Sequence, residues 1–365
     1  MVRVAIDVGP LHGPRTGIPV AVAGTLAALQ RGPAAGDDLE LMPYVVSMRA
    51  KVEPPQRRLP MPAAVALRYW ARGGRPIDGR LGSPDVVHGT NYVVPPSRAP
   101  RLVSVYDCWF LEHPELAAPD VRRAGEVLRK AVADGATVVT CSRATTTRVR
   151  QLLDPAAVHT VLLGQPTVAE LGTGAPPTGL DALADRSFIL AVATMERRKN
   201  LPTLVAAFDR LAREVDDISL VLAGAPGNDD VAIERAIAAL PSAAGRRVVR
   251  LGSIDEEAKW WLLRHAHALA YPSLDEGFGF PILEAQLVGT PVVASSAGSI
   301  PEVAGSAALL STPTDADALA ANLHWVVTDR EMHAKLRRRG TANAARFSWE
   351  RTADDLHSIY RDLAA

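Results

Sequence analysis

The chain reads as a two-domain α/β protein whose sheets are mainly parallel and covered on both faces, and three observations predict this. Short apolar strands alternate with amphipathic helices along most of its length. At 365 residues it is long for one domain and comfortable for two, each able to bury its own core. A Gly/Pro-rich stretch, Leu171 to Gly179, divides the strands into two series and reads as an interdomain linker.

Taken in order, the first series has strands at Val2 to Val8, Asp85 to His88, Arg101 to Tyr106, Thr137 to Cys141 and Val158 to Leu162. The second runs through Phe188 to Val192, Ser219 to Leu222, Val248 to Leu251, Leu269 to Tyr271 and Pro291 to Ala294. Leu201 to Ala212 is a clear amphipathic helix, with Asn200 expected as its N-cap and Pro202 in its first turn. After Asp315 the chain is expected to be helical in three segments. The expected division is therefore a first domain over 1–170, a linker over 171–185, a second domain over 186–345 and a terminal helix over 346–365.

Forty Lys and Arg balance forty Asp and Glu, so no global field draws the chain to nucleic acid, and a partner must be found locally. Two cysteines, Cys108 and Cys141, fit neither a metal-ligand spacing nor a disulfide framework and are expected to be packing residues in a reducing cytosol. The segment Met1 to Asp7 lacks a signal-peptide core, and no apolar run approaches the roughly 18 residues needed to span a bilayer. The expectation is a cytoplasmic protein whose membrane contact, if any, is peripheral at the inner face.

The segment Tyr271 to Glu284 concentrates the chemistry. An apolar strand, Ala268 to Tyr271, leads into Asp275-Glu276-Gly277-Phe278-Gly279-Phe280-Pro281, where the glycines let the backbone turn tightly and approach a ligand. Pro281 suits a first helical turn, and the helix that starts there directs its N–H groups and positive dipole end toward the loop, as a diphosphate requires. Glu276 precedes the turn and can accept from sugar hydroxyls; Glu284, eight positions later, can clasp a ribose diol. The bland reading is a loop acid and a helix acid favoured by the dipole.

This segment resembles the Glu-x7-Glu signature of retaining glycosyltransferases of the family 4 type, which includes bacterial mannosyl- and rhamnosyltransferases. Gly289 to Ser295 and Ile300 to Gly305 follow in the order and spacing that the family shows. The resemblance implies the GT-B architecture: two facing Rossmann-like domains, a ligand cleft between them, and a last helix crossing back to the first domain. It also implies that Glu276 faces the donor sugar, that Glu284 faces the nucleotide ribose, and that Gly277, Phe278, Gly279, Phe280 and Pro281 lie along the donor.

Other residues take their places from it. Arg197-Arg198-Lys199-Asn200 puts cations between a strand end and a helix start, where the dipole disfavours them unless an anion is bound. A forked guanidinium and a point-charge ammonium suit a leaving diphosphate, and the segment is similar to the family's Glu-Pro-Arg-Lys-Asn. Gly9 to Ile18 misses the dinucleotide-binding glycine spacing but is similar to the family's Arg-Thr-Gly-Ile-Gly loop, which makes Gly17 the donor-facing candidate of the first domain. His88 ends a strand and is a candidate catalytic group. Tyr106-Asp107 stands where the family has His-Asp, and Gln165 stands where an Asp is common. Asp229-Asp230 is too weak a signal to assign a metal.

Arg57, Arg58, Arg68, Arg72, Arg75 and Arg80, with Tyr69 and Trp70, surround the apolar run Ala63 to Leu67. They suit an anionic membrane surface or a lipid-diphosphate acceptor, or else form a helix packed by its apolar side. Together these features lead to the expectation of a retaining hexosyltransferase. It would use a nucleoside-diphosphate sugar, require no cofactor, with a divalent cation bridging the phosphates as the open alternative, and act on a glycan or lipid-linked acceptor in cell-envelope assembly. The rivals are a catalytically silent homologue that binds a nucleotide sugar or a partner transferase, suggested by Tyr106 and Gln165, and a sugar-nucleotide epimerase.

Overall fold

A computed structural model describes residues 1–13, 17–31, 38–166 and 175–365. The chain forms two compact units, Met1–Gly164 together with Phe347–Ala365, and Gln165–Arg346. Of the loop compared with Arg-Thr-Gly-Ile-Gly, Arg15 and Thr16 lie outside the described residues, as do residues 171–174 of the expected linker. The change of unit falls at Gly164/Gln165, ahead of the Gly/Pro-rich stretch.

The first unit holds a seven-stranded sheet of β1 (Val2–Asp7), β2 (Leu39–Val46), β3 (Arg57–Leu59), β4 (Val86–Gly89), β5 (Arg101–Val105), β6 (Thr137–Thr140) and β7 (Val158–Thr160). Its order is β3-β2-β1-β4-β5-β6-β7 and every pair is parallel. Strands β2 and β3 are absent from the sequence expectation. Pro43 interrupts the first, and the second is only three residues, two of them arginines.

One face of this sheet packs Ile6, Leu102 and Val139 against Leu356, Ile359 and Tyr360 of the C-terminal helix Trp349–Ala364. That helix also lies along Gly17–Arg31. Gly24 and Gly164 permit the approach: a Cβ on either would lie 2.3 Å from a ring atom of Trp349. On the other face, Val103 and Val105 meet Leu128 and Val132 of the helix Pro119–Ala133. The helix Ala63–Ala71 buries Ala66 and Trp70 against Val127, which is the packed reading of the arginine-rich segment; Val65 and Tyr69 stay exposed.

The second unit holds β8 (Ser187–Val192), β9 (Ile218–Ala223), β10 (Val248–Gly252), β11 (Ala268–Tyr271), β12 (Val292–Ser295) and β13 (Ala308–Ser311). They are ordered β10-β9-β8-β11-β12-β13, again all parallel. The helix Leu201–Glu214 turns Leu204, Val205, Phe208 and Leu211 onto Leu220 and Leu222, continuous with Leu319 and Leu323 of the helix Ala316–Thr328.

In each sheet the first strand lies inside the sheet, and the chain winds away from it in both directions. The carboxyl ends of the two strands at that reversal diverge and leave a crevice where ligands bind in doubly wound sheets. In the second unit these are β8 and β11.

Candidate active site

Both strands at the second reversal end in the segments the sequence singled out. Beyond β8 the chain passes the buried Met195 and makes one 3-10 turn, Arg197–Lys199, before Leu201–Glu214 begins. Beyond β11 it passes Pro272, Ser273 and Leu274 to reach Asp275 and Glu276. The two loops are laced together, since Leu274 N donates to Arg198 O at 2.8 Å.

Asn200 corrects an expectation. It occupies the N-cap position at φ 56°, but its side chain makes no cap bond. Its Nδ2 instead donates to Pro272 O at 3.0 Å and Pro313 O at 2.7 Å, while Oδ1 accepts from Thr203 Oγ1 at 2.7 Å. A residue expected to finish a helix locally therefore ties the first loop to the second.

The Glu276 loop is fastened from a third side. Ser299 N donates to Glu276 O at 2.9 Å and Ser299 Oγ to Phe278 O at 3.0 Å. Gly298 is required beneath it: at φ 53°, a Cβ there would lie 2.4 Å from Asp275 Oδ1 and 2.5 Å from Glu276 O. Gly279, at φ 100°, makes the turn into the helix Phe280–Leu287, whose first turn contains Pro281. Phe278 and Phe280 pack edge to face at 5.1 Å.

Glu276 is the centre of the cluster. Its Oε2 accepts from Arg198 Nη1 and its Oε1 from Lys199 Nζ, each at 2.6 Å. Arg198 also donates to Asp275 O at 3.0 Å. Lys199 lies 3.3 Å from Tyr271 Oη and 5.3 Å from the centre of its ring. Burial would push the Glu276 carboxyl up, but the Arg198 and Lys199 cations outweigh it and hold the group down at about 2. Lys199 is lowered, because burial and Arg198 together exceed the pull of Glu276. Two cations share one buried carboxylate, with the half-exposed Glu196 3.9 Å from Arg198, so the desolvated part of the site carries an excess of positive charge that favours an anion.

Glu284 lies on Phe280–Leu287 and is buried. Burial raises its carboxyl, with Lys259 opposing. Lys259, on the helix Glu256–His265, donates to Glu284 Oε1 at 2.7 Å and lies 3.0 Å from Glu256 Oε2. Sequence reasoning missed Lys259. The available signal is a lysine inside the otherwise buried run Ala258 to Leu263, next to Trp260 and Trp261.

The structure thus brings Arg198, Lys199, Glu276, Gly277, Phe278, Gly279, Phe280, Pro281 and Glu284 to one edge of the second sheet. Gly17 and His88 belong to the first unit, where Gly17 begins the helix Gly17–Arg31. His88, the candidate catalytic group, is enclosed within its own unit. It is 2% exposed, its Nδ1 is 2.7 Å from Tyr360 Oη and its Nε2 is 2.8 Å from Ser104 Oγ. Burial drops its pKa to about 3, so it is a neutral hydrogen-bonding node between β4, β5 and the C-terminal helix. Asp230 starts a helix and pairs with Arg250 at 2.5 Å. Among the described residues no three His, Cys, Asp or Glu gather as metal ligands, and no helix is long and apolar enough to cross a membrane.

Residues 180–343 match the family model described as glycosyl transferases group 1. The O-antigen chain mannosyltransferase B of Escherichia coli is 29% identical over 288 residues, which cover 76% of this chain and 74% of that protein. Sucrose-phosphate synthase from Thermosynechococcus elongatus superposes with a TM-score of 0.72 at 19% identity, over 100% of this chain and 99% of that one. Anabaena HepE, solved with UDP and glucose, does so with a TM-score of 0.68 at 16% identity, over 99% and 100%. The fold is GT-B, and the class that fold, family match and relatives support is a glycosyltransferase.

Proposed function

We propose that the chain is a retaining glycosyltransferase that moves a hexose-like sugar, with mannose as first candidate, from a nucleoside diphosphate to a hydroxyl of a glycan or lipid-linked acceptor in cell-envelope assembly. The carrying observation is the pair of cations fixed on the buried Glu276 at the carboxyl ends of β8 and β11. The name of the E. coli relative supports the sugar and the setting, and the UDP and glucose bound to HepE support the donor class.

In this reading Arg198 and Lys199 stabilise the charge that grows on the diphosphate as its bond to the sugar breaks, aided by the start of Phe280–Leu287. Glu276 holds both cations and accepts from the sugar. Glu284 takes the ribose. The Gly277 to Pro281 segment lies along the donor, and Gly17 is the donor-facing residue of the first unit. No protein nucleophile is used: attack comes on the face the diphosphate leaves, and a diphosphate oxygen takes the acceptor proton, so the anomeric configuration is kept. The protein supplies charge and alignment, and the reading needs no cofactor beyond the donor.

The test is calorimetric binding of nucleoside diphosphates and their sugars, followed by NMR assignment of the anomeric configuration of the product. Micromolar binding of one nucleotide class and a product of retained configuration are expected. An inverted product overturns the mechanism, and failure of every nucleotide to bind overturns the donor class.

A further inference from the structure

We propose that Lys259 is a positioning residue for nucleotide recognition: it fixes the Glu284 carboxylate so that this group accepts from the ribose diol. The inference rests on the donor reading above and extends it to a residue outside both sequence motifs.

Glu284 has three side-chain torsions and is buried, which makes an unpaired carboxylate there costly. Lys259 removes both difficulties from a neighbouring helix. Its Nζ is 2.7 Å from Glu284 Oε1 and 3.0 Å from Glu256 Oε2, and it stands 5.2 Å from the centre of the Trp260 ring. The side chains of Lys259 and Glu284 are 14% and 6% exposed, so water does little to screen the pair. With Oε1 held, Oε2 and the remaining lone pair of Oε1 are presented in one orientation, as two adjacent hydroxyl donors require.

The charge balance supports the same assignment. Lys259 with Glu284 and the half-exposed Glu256 sums to one negative charge, whereas Arg198 and Lys199 with Glu276 and the half-exposed Glu196 sum to zero, so the second cluster is the more positive by one charge. Tyr271 also feels the charge of Glu284, and burial keeps it neutral. The Glu284 cluster repels phosphate and suits hydroxyl donors; the Glu276 cluster, more positive by one charge, suits phosphate. Together they fix which end of a nucleotide lies where.

The experiment measures, by calorimetry, binding of the tightest ribonucleoside diphosphate among ADP, CDP, GDP and UDP and of its 2′,3′-dideoxy counterpart. The parent protein should prefer the ribose form by about tenfold or more, the worth of hydrogen bonds to a charged acceptor. In Lys259→Met the two affinities should fall within about twofold of each other, while Lys259→Arg should restore most of the preference. Should Lys259→Met fail to fold, Lys259→Gln, which keeps a donor but not the charge, is read by the same ratio. A full preference in the neutral variant, with loss in Glu284→Ala, overturns the role of Lys259. A full preference in Glu284→Ala overturns the ribose reading itself, and this proposal with it.

Discussion

The two sheets wind alike yet place opposite chemistry at their reversal points. In the second unit the ends of β8 and β11 carry Arg198, Lys199 and Glu276, each paired and poorly solvated. In the first unit the ends of β1 and β4 carry Asp7, His88 and Thr90, with Tyr44 and Tyr106 beside Asp7. There burial dominates: it raises Asp7 to about 6, lowers His88 to about 3 and pushes both tyrosines up. One topology thus builds a crevice of paired ions and one in which a single carboxylate stands among neutral groups, and the loop residues after each strand decide which.

The comparison is broken most severely by removing a cation from the second unit. Lys199→Ala should slow transfer by about 10²–10³-fold, with smaller change in nucleotide affinity; near-normal turnover would end its role in leaving-group stabilisation. Next comes packing in the first unit. Gly24→Ala drives a methyl into the Trp349 ring and should cost about 1–3 kcal/mol, read by chemical denaturation.

The buried titrating groups of the first unit sharpen the comparison through pH. His88 binds its proton in the unfolded chain near 6.5 but in the fold only near 3, so stability falls as pH drops through that window; His88→Phe should flatten the fall by up to one proton. Asp7 has the opposite sign. Its folded value near 6 lies above the ordinary 3.8, so its contribution improves as pH falls from 6 toward 4. Asp7→Asn should therefore raise Tm at pH 8, and an unchanged Tm would mean that Asp7 is solvated. The smallest effect is expected on the helix Ala63–Ala71. Reversing the charges of Arg68 and Arg72 should change stability by less than about 0.5 kcal/mol while weakening binding to anionic liposomes; unaltered liposome binding would end the membrane reading of this segment.

Much of this was legible locally. Strand–helix alternation marks ten of the thirteen strands, because a buried parallel strand must be a short apolar run wherever it occurs. The three it missed are β2, interrupted by Pro43, and β3 and β13, short strands at the sheet edges, each held by a single neighbouring strand. Glu276, Glu284, Arg198 and Lys199 stood out because their segments resemble the Glu-x7-Glu and Glu-Pro-Arg-Lys-Asn motifs of retaining glycosyltransferases; the turn and helix start alone leave the bland reading open.

The sequence by itself determined the fold class, the two series of strands and the acids and bases that meet at the second reversal, since each depends on neighbours within about one turn or one strand. Only the tertiary structure decided what those groups do to one another. Asn200 starts its helix but turns its amide nitrogen to Pro272 and Pro313, His88 becomes a neutral node once Tyr360 arrives from 272 positions away, and Lys259 acquires Glu284 from a neighbouring helix. Hydrogen bonds, ion pairs and burial act through space, so partners chosen by strand order cannot be read from spacing along the chain.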